Sequence, residues 1–194
     1  TAGGDPDNEC ASADASTCGQ TGACSGTRGV CQLYQSGTVC QSASCAAGVL
    51  TNAKTCNGSG TCQTPTPGTV NCAPYVCNGT GCRGSCTTDS HCVSTHACVS
   101  GQCKSKQSQA CTSASQCASG FCVDGYCCNS ACSGSCRSCA VAGSEGVCSN
   151  YAAASDPESE CAASGASTCG QNGACDGNGA CQMWASQTEC QAAS

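Results

Sequence analysis

The side chains numerous enough to carry chemistry in this chain are its 29 cysteines among 194 residues. A thiol offers metal ligation, redox exchange or cross-linking. Structural metal sites need ligands in close pairs, such as two CxxC motifs or one CxxC with a histidine pair. The chain holds one CxxC, Cys136-Arg-Ser-Cys139, and no CxC. A metallothionein-like store would need tighter spacing and more lysine. No metal ligand and no cofactor is therefore assigned. Read as a redox motif, Cys136 and Cys139 lack the βαβ pattern that places such a pair at a helix start. They are expected to be structural, each paired elsewhere. Ala140 follows the motif, so it is not the CxxCH of covalent haem attachment.

Other reactive types are sparse. His91 and His96 stand in no Ser-His-acid or Cys-His context, and oxidised neighbours leave no thiolate nucleophile. Both are read as exposed loop histidines. No catalytic residue is assigned, and no enzymatic activity is expected. The acidic starts at Asp5-Pro6-Asp7-Asn8-Glu9 and Asp156-Pro157-Glu158-Ser159-Glu160 gather oxygen ligands, yet lack the glycine and spacing of a calcium loop. They are read as solvated turns. Asn57-Gly-Ser and Asn78-Gly-Thr match the glycosylation acceptor pattern, although hairpins use the same dipeptide. The adjacent Cys127 and Cys128 would close a strained ring if bonded to each other. They are expected to pair in opposite directions and pin two loops at one point.

The elements that hold these residues cannot rest on an aliphatic core. Leu, Val, Ile and Phe together number 13 residues, a fraction that ordinarily marks disorder. Cross-links change that expectation. Fourteen disulfides at about 2 to 4 kcal/mol each match or exceed what about 1.5 to 3 kcal/mol per buried aliphatic side chain supplies. Such cysteine density belongs in an oxidising compartment. An extracellular or cell-surface protein is expected. With no starting Met and no signal peptide, the chain reads as a processed product or part of something longer. Its longest apolar runs, such as Ala46-Ala-Gly-Val-Leu50, are far too short to span a bilayer. Six basic residues against twelve acidic ones form no patch for phosphates, so no nucleic-acid partner is expected.

The chain repeats itself. Residues 5–44 align with 156–194 through 24 identities in 39 pairs and one deletion, at an offset of 151 residues before the deletion and 150 after it. That is the signature of a tandem array. One period, Cys10 to Cys148, holds 24 cysteines, an even number, so the odd total belongs to the boundary. If a cysteine follows Ser194, the odd thiol is an artefact of cutting a long array; if the chain ends at Ser194, the partial copy is expected to hold the unpaired cysteine. Five segments follow: module A over 1–45, hairpin module B over 46–85, module C over 86–128, module D with a linker over 129–155, and a partial second copy of A over 156–194. The linker is Ser149–Glu160, the longest stretch without cysteine.

Short hairpins are the only regular structure predicted. Asn57-Gly58, Asn78-Gly79 and Asp176-Gly177 each sit between two cysteines and favour type I′ turns. Val30–Gln35 and its match Ala180–Ala185 alternate enough to form a strand. No segment has helical apolar periodicity over more than two turns. The expected fold is a small disulfide-rich one: elongated tandem modules of short β-hairpins and loops, with little or no helix.

The runs DPDNEC, STCGQTGAC, CNGSGTC and CAPYVCNGTGC, with the later SGFCVDGYCCNSACSGSCRSCA, resemble cysteine-rich tandem repeats in secreted proteins of myxobacteria and related bacteria. The resemblance covers nearly the whole chain. It implies extracellular or surface placement in long repetitive proteins, with no catalytic site to carry over. Cys86 to Cys128, spaced C-x5-C-x5-C-x4-C-x7-C-x5-C-x4-C-x4-CC, also resembles the amino-terminal cysteine-rich region of Dickkopf proteins. That likeness implies a knot of crossed disulfides.

Two functions from different classes follow. The first is a structural extracellular protein, subunit or segment of a disulfide-stabilised filament or surface appendage, self-associating head to tail with intermolecular disulfides as an option. An open heterologous contact gives such a fibre. The second is a secreted binding module for a receptor, glycan or protease. The Dickkopf-like segment or the hairpin tips would make the contact; no copy displays an exposed loop with a decisive residue, and Lys104-Ser-Lys106, read as the only basic loop, could equally be a protease cleavage site.

Overall fold

A computed structural model describes residues 2–185. The chain divides into two compact units, Thr1–Cys86 and Thr87–Ser194. Among the described residues the regular structure is short antiparallel strands and four 3-10 turns, with no α-helix. Two sheets have three strands: Val39–Gln41, Lys54–Cys56 and Cys62–Gln63 form one, and Ser44–Ala46, Val49–Thr51 and Thr69–Asn71 the other. The remaining sheets are two-stranded ribbons. The predicted disulfide-rich hairpin fold is what the chain forms.

The hairpins turn by a different logic from the one expected. A type I′ turn needs positive φ at both central residues. That pattern occurs at Ala47-Gly48, Ser100-Gly101 and Asp124-Gly125, not at the Asn-Gly sites. Asn57 instead uses its side chain, whose Oδ1 accepts the amides of Ser59 at 2.8 Å and Thr61 at 3.1 Å. Asp176 does the same for Asn178 and Ala180, at 2.7 and 3.1 Å. These donated bonds hold the Asp176 carboxyl below its ordinary range. In both loops the asparagine or aspartate is a local cap, and the glycine alone takes positive φ. At Asn78-Gly79 the asparagine is a strand residue paired with Gly81.

The interior is sulfur. Every buried hydrophobic residue in the described chain is a cysteine, whereas Val30 and Val39 are each 50% exposed and Phe121 38%. Aliphatic residues on two- or three-residue strands have no second layer to face. The disulfides interleave within runs along the chain. Cys10–Cys31 overlaps Cys18–Cys56, which overlaps Cys40–Cys62, then Cys45–Cys77, then Cys72–Cys82. In the second unit Cys111–Cys122 crosses Cys117–Cys127. Cys128–Cys139, Cys132–Cys148, Cys136–Cys175 and Cys161–Cys181 continue the series.

The sequence repeat is a structural repeat. Gln20 pairs with Leu33 and Cys24 with Cys31; Gln171 pairs with Met183 and Cys175 with Cys181. The Tyr34 hydroxyl donates to the Ala13 carbonyl at 3.0 Å, and the indole N–H of Trp184 donates to the equivalent Ser164 carbonyl at 2.9 Å. An aromatic with a polar tip is thus needed at that position, which explains why tyrosine and tryptophan interchange. The stretch expected to be a linker is not loose. Ser149–Asn150 pairs with Arg137–Ser138, and the Tyr151 amide donates to the Cys136 carbonyl at 2.9 Å. Ala154 and Ser155 then exchange backbone bonds with Cys175, at 2.9 and 2.8 Å. Polar Ala-Ser-acid composition was a poor guide because the ribbon is bonded through its backbone, which composition does not report.

A disulfide acts mainly by shortening the unfolded chain, so the longer closure should matter more. Cys18→Ser with Cys56→Ser, removing a closure of 38 residues, is expected to cost about 4 kcal/mol. Cys72→Ser with Cys82→Ser, removing one of 10 residues, is expected to cost about 3 kcal/mol. Denaturant unfolding of the two double variants, with the other disulfides intact, measures the difference.

Candidate functional site

Each residue singled out by type has a definite place. Cys136 and Cys139 do not pair with each other: Cys136 bonds Cys175 and Cys139 bonds Cys128, and both are fully buried. The vicinal cysteines do diverge, Cys127 reaching back to Cys117 and Cys128 forward to Cys139. Triplets of sulfur such as Cys18, Cys40 and Cys62 lie within 4.8 Å of one another. These sulfurs belong to disulfides, which offer no thiolate to a metal. The clusters are the interleaved staples seen end on.

The histidines are not exposed loop residues. His91 ends the 3-10 turn Asp89–His91, half-buried, and its Nδ1 accepts the Thr87 amide at 3.2 Å. His96 opens the strand His96–Val99. Its Nδ1 lies 2.9 Å from Thr95 Oγ1 and its Nε2 3.3 Å from Ser105 Oγ. Burial, with the positive charge of Lys106, pushes its pKa below the usual histidine value. Lys104 is likewise not in a loop: it belongs to the strand Gln102–Ser105, and Lys106 Nζ donates to the Ser94 carbonyl at 3.0 Å. A hairpin ladder, not a presented basic loop, accounts for those lysines.

The acidic starts are built turns. Asp5 accepts the amides of Glu9 and Cys10 at 2.9 and 2.8 Å, and Asp156 accepts those of Glu160 and Cys161 at 3.0 and 2.9 Å. Both carboxylate oxygens are thus engaged by the backbone, which fixes the turn ahead of the first cysteine. Asp124 plays a related part in the second unit. Its Oδ2 accepts the Ser138 hydroxyl at 2.6 Å and the Cys139 amide at 2.8 Å. Ser138 is the one fully buried polar residue of the described chain, and this network satisfies it.

One cysteine departs from the rule. Cys24 is the free thiol among the described residues, half-buried at the end of the strand Gln20–Cys24. Its sulfur is 3.9 Å from Asp5 Oδ1, and it borders a cavity of about 430 Å³ with Glu9, Cys10, Arg28 and Cys31. The expectation for a chain ending at Ser194 placed the odd cysteine in the partial copy; the free thiol among the described residues is in the first copy instead. There Cys161, Cys169, Cys175 and Cys181 are all oxidised. Counting cysteines per period could not locate it, because Cys136 bonds into the next copy of module A and leaves the first copy one partner short.

No family model, curated protein or solved structure matches the chain. Disulfides along the described chain suit an oxidising environment, and no described helix is long and apolar enough to cross a membrane.

Two measurements check this description. Because the folded pKa of His96 is depressed, the unfolded chain binds its proton first. Stability is then fully present above about pH 6.5 and falls as pH drops toward the folded value. Denaturation between pH 7 and pH 5 should show that loss, and His96→Gln should flatten it. Alkylation of the unreduced protein followed by peptide mapping should label Cys24 while leaving Cys175 unlabelled.

Proposed function

We propose that this chain is a structural extracellular protein, a subunit or segment of a disulfide-stabilised filament or cell-surface appendage. The observation that carries this reading is the Cys136–Cys175 disulfide. It ties module D to the copy of module A that follows, so consecutive repeat units are joined by a covalent staple as well as by the chain. A cross-link between repeats resists separation as one within a repeat does, and that is what a polymer under tension or weathering requires. The sulfur core supports the same reading, since it is insensitive to the loss of hydrophobic driving force but fails under reduction. The sparse charge, 18 charged residues in all with a formal net charge of −6, suits an inert material. The resemblance to secreted bacterial tandem repeats points the same way.

Electron microscopy of the oxidised protein, with and without reductant, tests the proposal. Regular fibres that shorten or dissolve under reduction are the expected result. A monodisperse monomer at every concentration would overturn it.

A further inference from the structure

Cysteines that face each other across a hairpin ribbon are bonded elsewhere. In the second copy of module A, Cys175 and Cys181 are direct partners across the ribbon. The Asp176 amide donates to the Ala180 carbonyl at 2.8 Å, so those two residues form a hydrogen-bonded pair and Cys175 with Cys181 forms the adjacent, closer pair that exchanges no hydrogen bonds. Such pairs put their Cα atoms about 4.5 Å apart, inside the range of about 4.4 to 6.8 Å that a disulfide spans. Yet Cys175 is bonded to Cys136 and Cys181 to Cys161. The two outer sulfurs also touch, Cys136 and Cys161 lying 3.3 Å apart. Glu160 Oε2 holds Cys136 in that place by accepting its amide at 2.6 Å.

The four sulfurs thus form a ring in which two bonded edges alternate with two close, unbonded ones. The same constellation recurs in the first unit. Cys77 and Cys82 are direct partners across their ribbon, and the Arg83 amide donates to the Val76 carbonyl at 3.1 Å beside them. They are bonded to Cys45 and Cys72, whose sulfurs lie 3.5 Å apart. Two clusters built alike on different sequences point to the ribbon as the cause: opposed cysteines on one ribbon bring their outer partners together. At the joint between module D and the following copy of module A, access differs among the four. Cys136 and Cys175 are fully buried, Cys161 is 6% exposed, and Cys181 alone is half-buried. A thiol from solution therefore meets Cys181 first.

We infer that Cys136, Cys161, Cys175 and Cys181 form a disulfide-exchange site for a small thiol of the glutathione class, which converts Cys136–Cys175 and Cys161–Cys181 into Cys136–Cys161 and Cys175–Cys181. The incoming thiolate bonds the Cys181 sulfur and breaks its bond to Cys161, which leaves as a thiolate. Cys161, 3.3 Å from Cys136, then bonds that sulfur and breaks Cys136–Cys175. Cys175, released as a thiolate, bonds the Cys181 sulfur opposite it and expels the incoming thiol unchanged. One S–S bond forms and one breaks at each step, so no oxidant or reductant is consumed. Throughout, Cys136 keeps a bond to the second copy of module A, first through Cys175 and then through Cys161. A thiol that would cut a single staple is handed round the ring and released, and module D stays tied to the module that follows. The exchange needs no assembly of the chain, so it stands apart from the filament.

Reduced glutathione is the probe, used at about pH 8, near enough to an ordinary thiol pKa of about 8.5 to supply thiolate. The unsubstituted full-length chain is treated, quenched in acid, alkylated and mapped by mass spectrometry. Peptides joining Cys136 to Cys161 and Cys175 to Cys181 are expected to appear together, with Cys136–Cys175 falling in step and no alkylation at the four positions. Cys181→Ser should make the exchange spontaneous: its Cys161 thiol displaces Cys175 from Cys136, giving Cys136–Cys161 and an alkylated Cys175 without glutathione. Replacing both Cys161 and Cys181 by serine should leave Cys136–Cys175 intact without thiol, and lose it to free thiols at glutathione concentrations that leave Cys136 of the unsubstituted chain bonded. In the unsubstituted chain, a lasting glutathione adduct at Cys181 with Cys136–Cys175 intact, or no crossed peptide at any glutathione concentration up to full reduction, overturns the exchange site. Fibre formation bears on the filament alone and leaves this result unchanged.

Discussion

Everything in this chain depends on sulfur occupying the place that aliphatic side chains hold elsewhere. The buried hydrophobic positions of the described residues are all cysteine, and Val30, Val39, Val49, Val70 and Val147 are exposed. A strand of two or three residues cannot shelter a leucine, but it can present a cysteine whose partner closes over it. Disulfides therefore do two things at once: they fill the interior and they restrict the unfolded chain. Several closures overlap their neighbours in sequence and run from one segment into the next. Cys18–Cys56 and Cys40–Cys62 run across the boundary at residue 45, and Cys128–Cys139 across that at 128. Modules A and B, and modules C and D, look separable in the sequence and are sewn together.

This explains which features were legible. Cysteine density and aliphatic poverty pointed to short, stapled hairpins because so few alternatives can order such a composition. The divergence of Cys127 and Cys128 followed from ring strain alone. Turn type was less legible, since Asn-Gly serves a hairpin in two ways. Asn57 and Asp176 commit their side chains to backbone amides and leave the left-handed conformation to glycine, whereas Ala47 and Ser100 adopt it with no sequence signal but a following glycine. The histidines were misplaced because their neighbours in space, Thr87 and Ser105, are brought in by a 3-10 turn and a hairpin register.

The free thiol was invisible for a more instructive reason. An even count within one period is compatible with pairing inside the period, and equally with one bond leaving for the next copy while another arrives from the previous one. Only pairing distinguishes these cases. Cys136–Cys175 shows that the bond crosses, and Cys24, the counterpart of Cys175, is the free thiol among the described residues.

The two copies of module A also separate what the module needs from what it accepts. With its face covered or open, it keeps the Asp-capped turn, the 3-10 turn ending in a left-handed cysteine, the strand register and the aromatic bond to the carbonyl before the turn. The covering ribbon therefore contributes little to the shape of the module, and its removal does not collapse the acceptor. A face that is already formed loses little further ordering entropy when a ribbon packs on it, as the Cys136 ribbon does on the second copy.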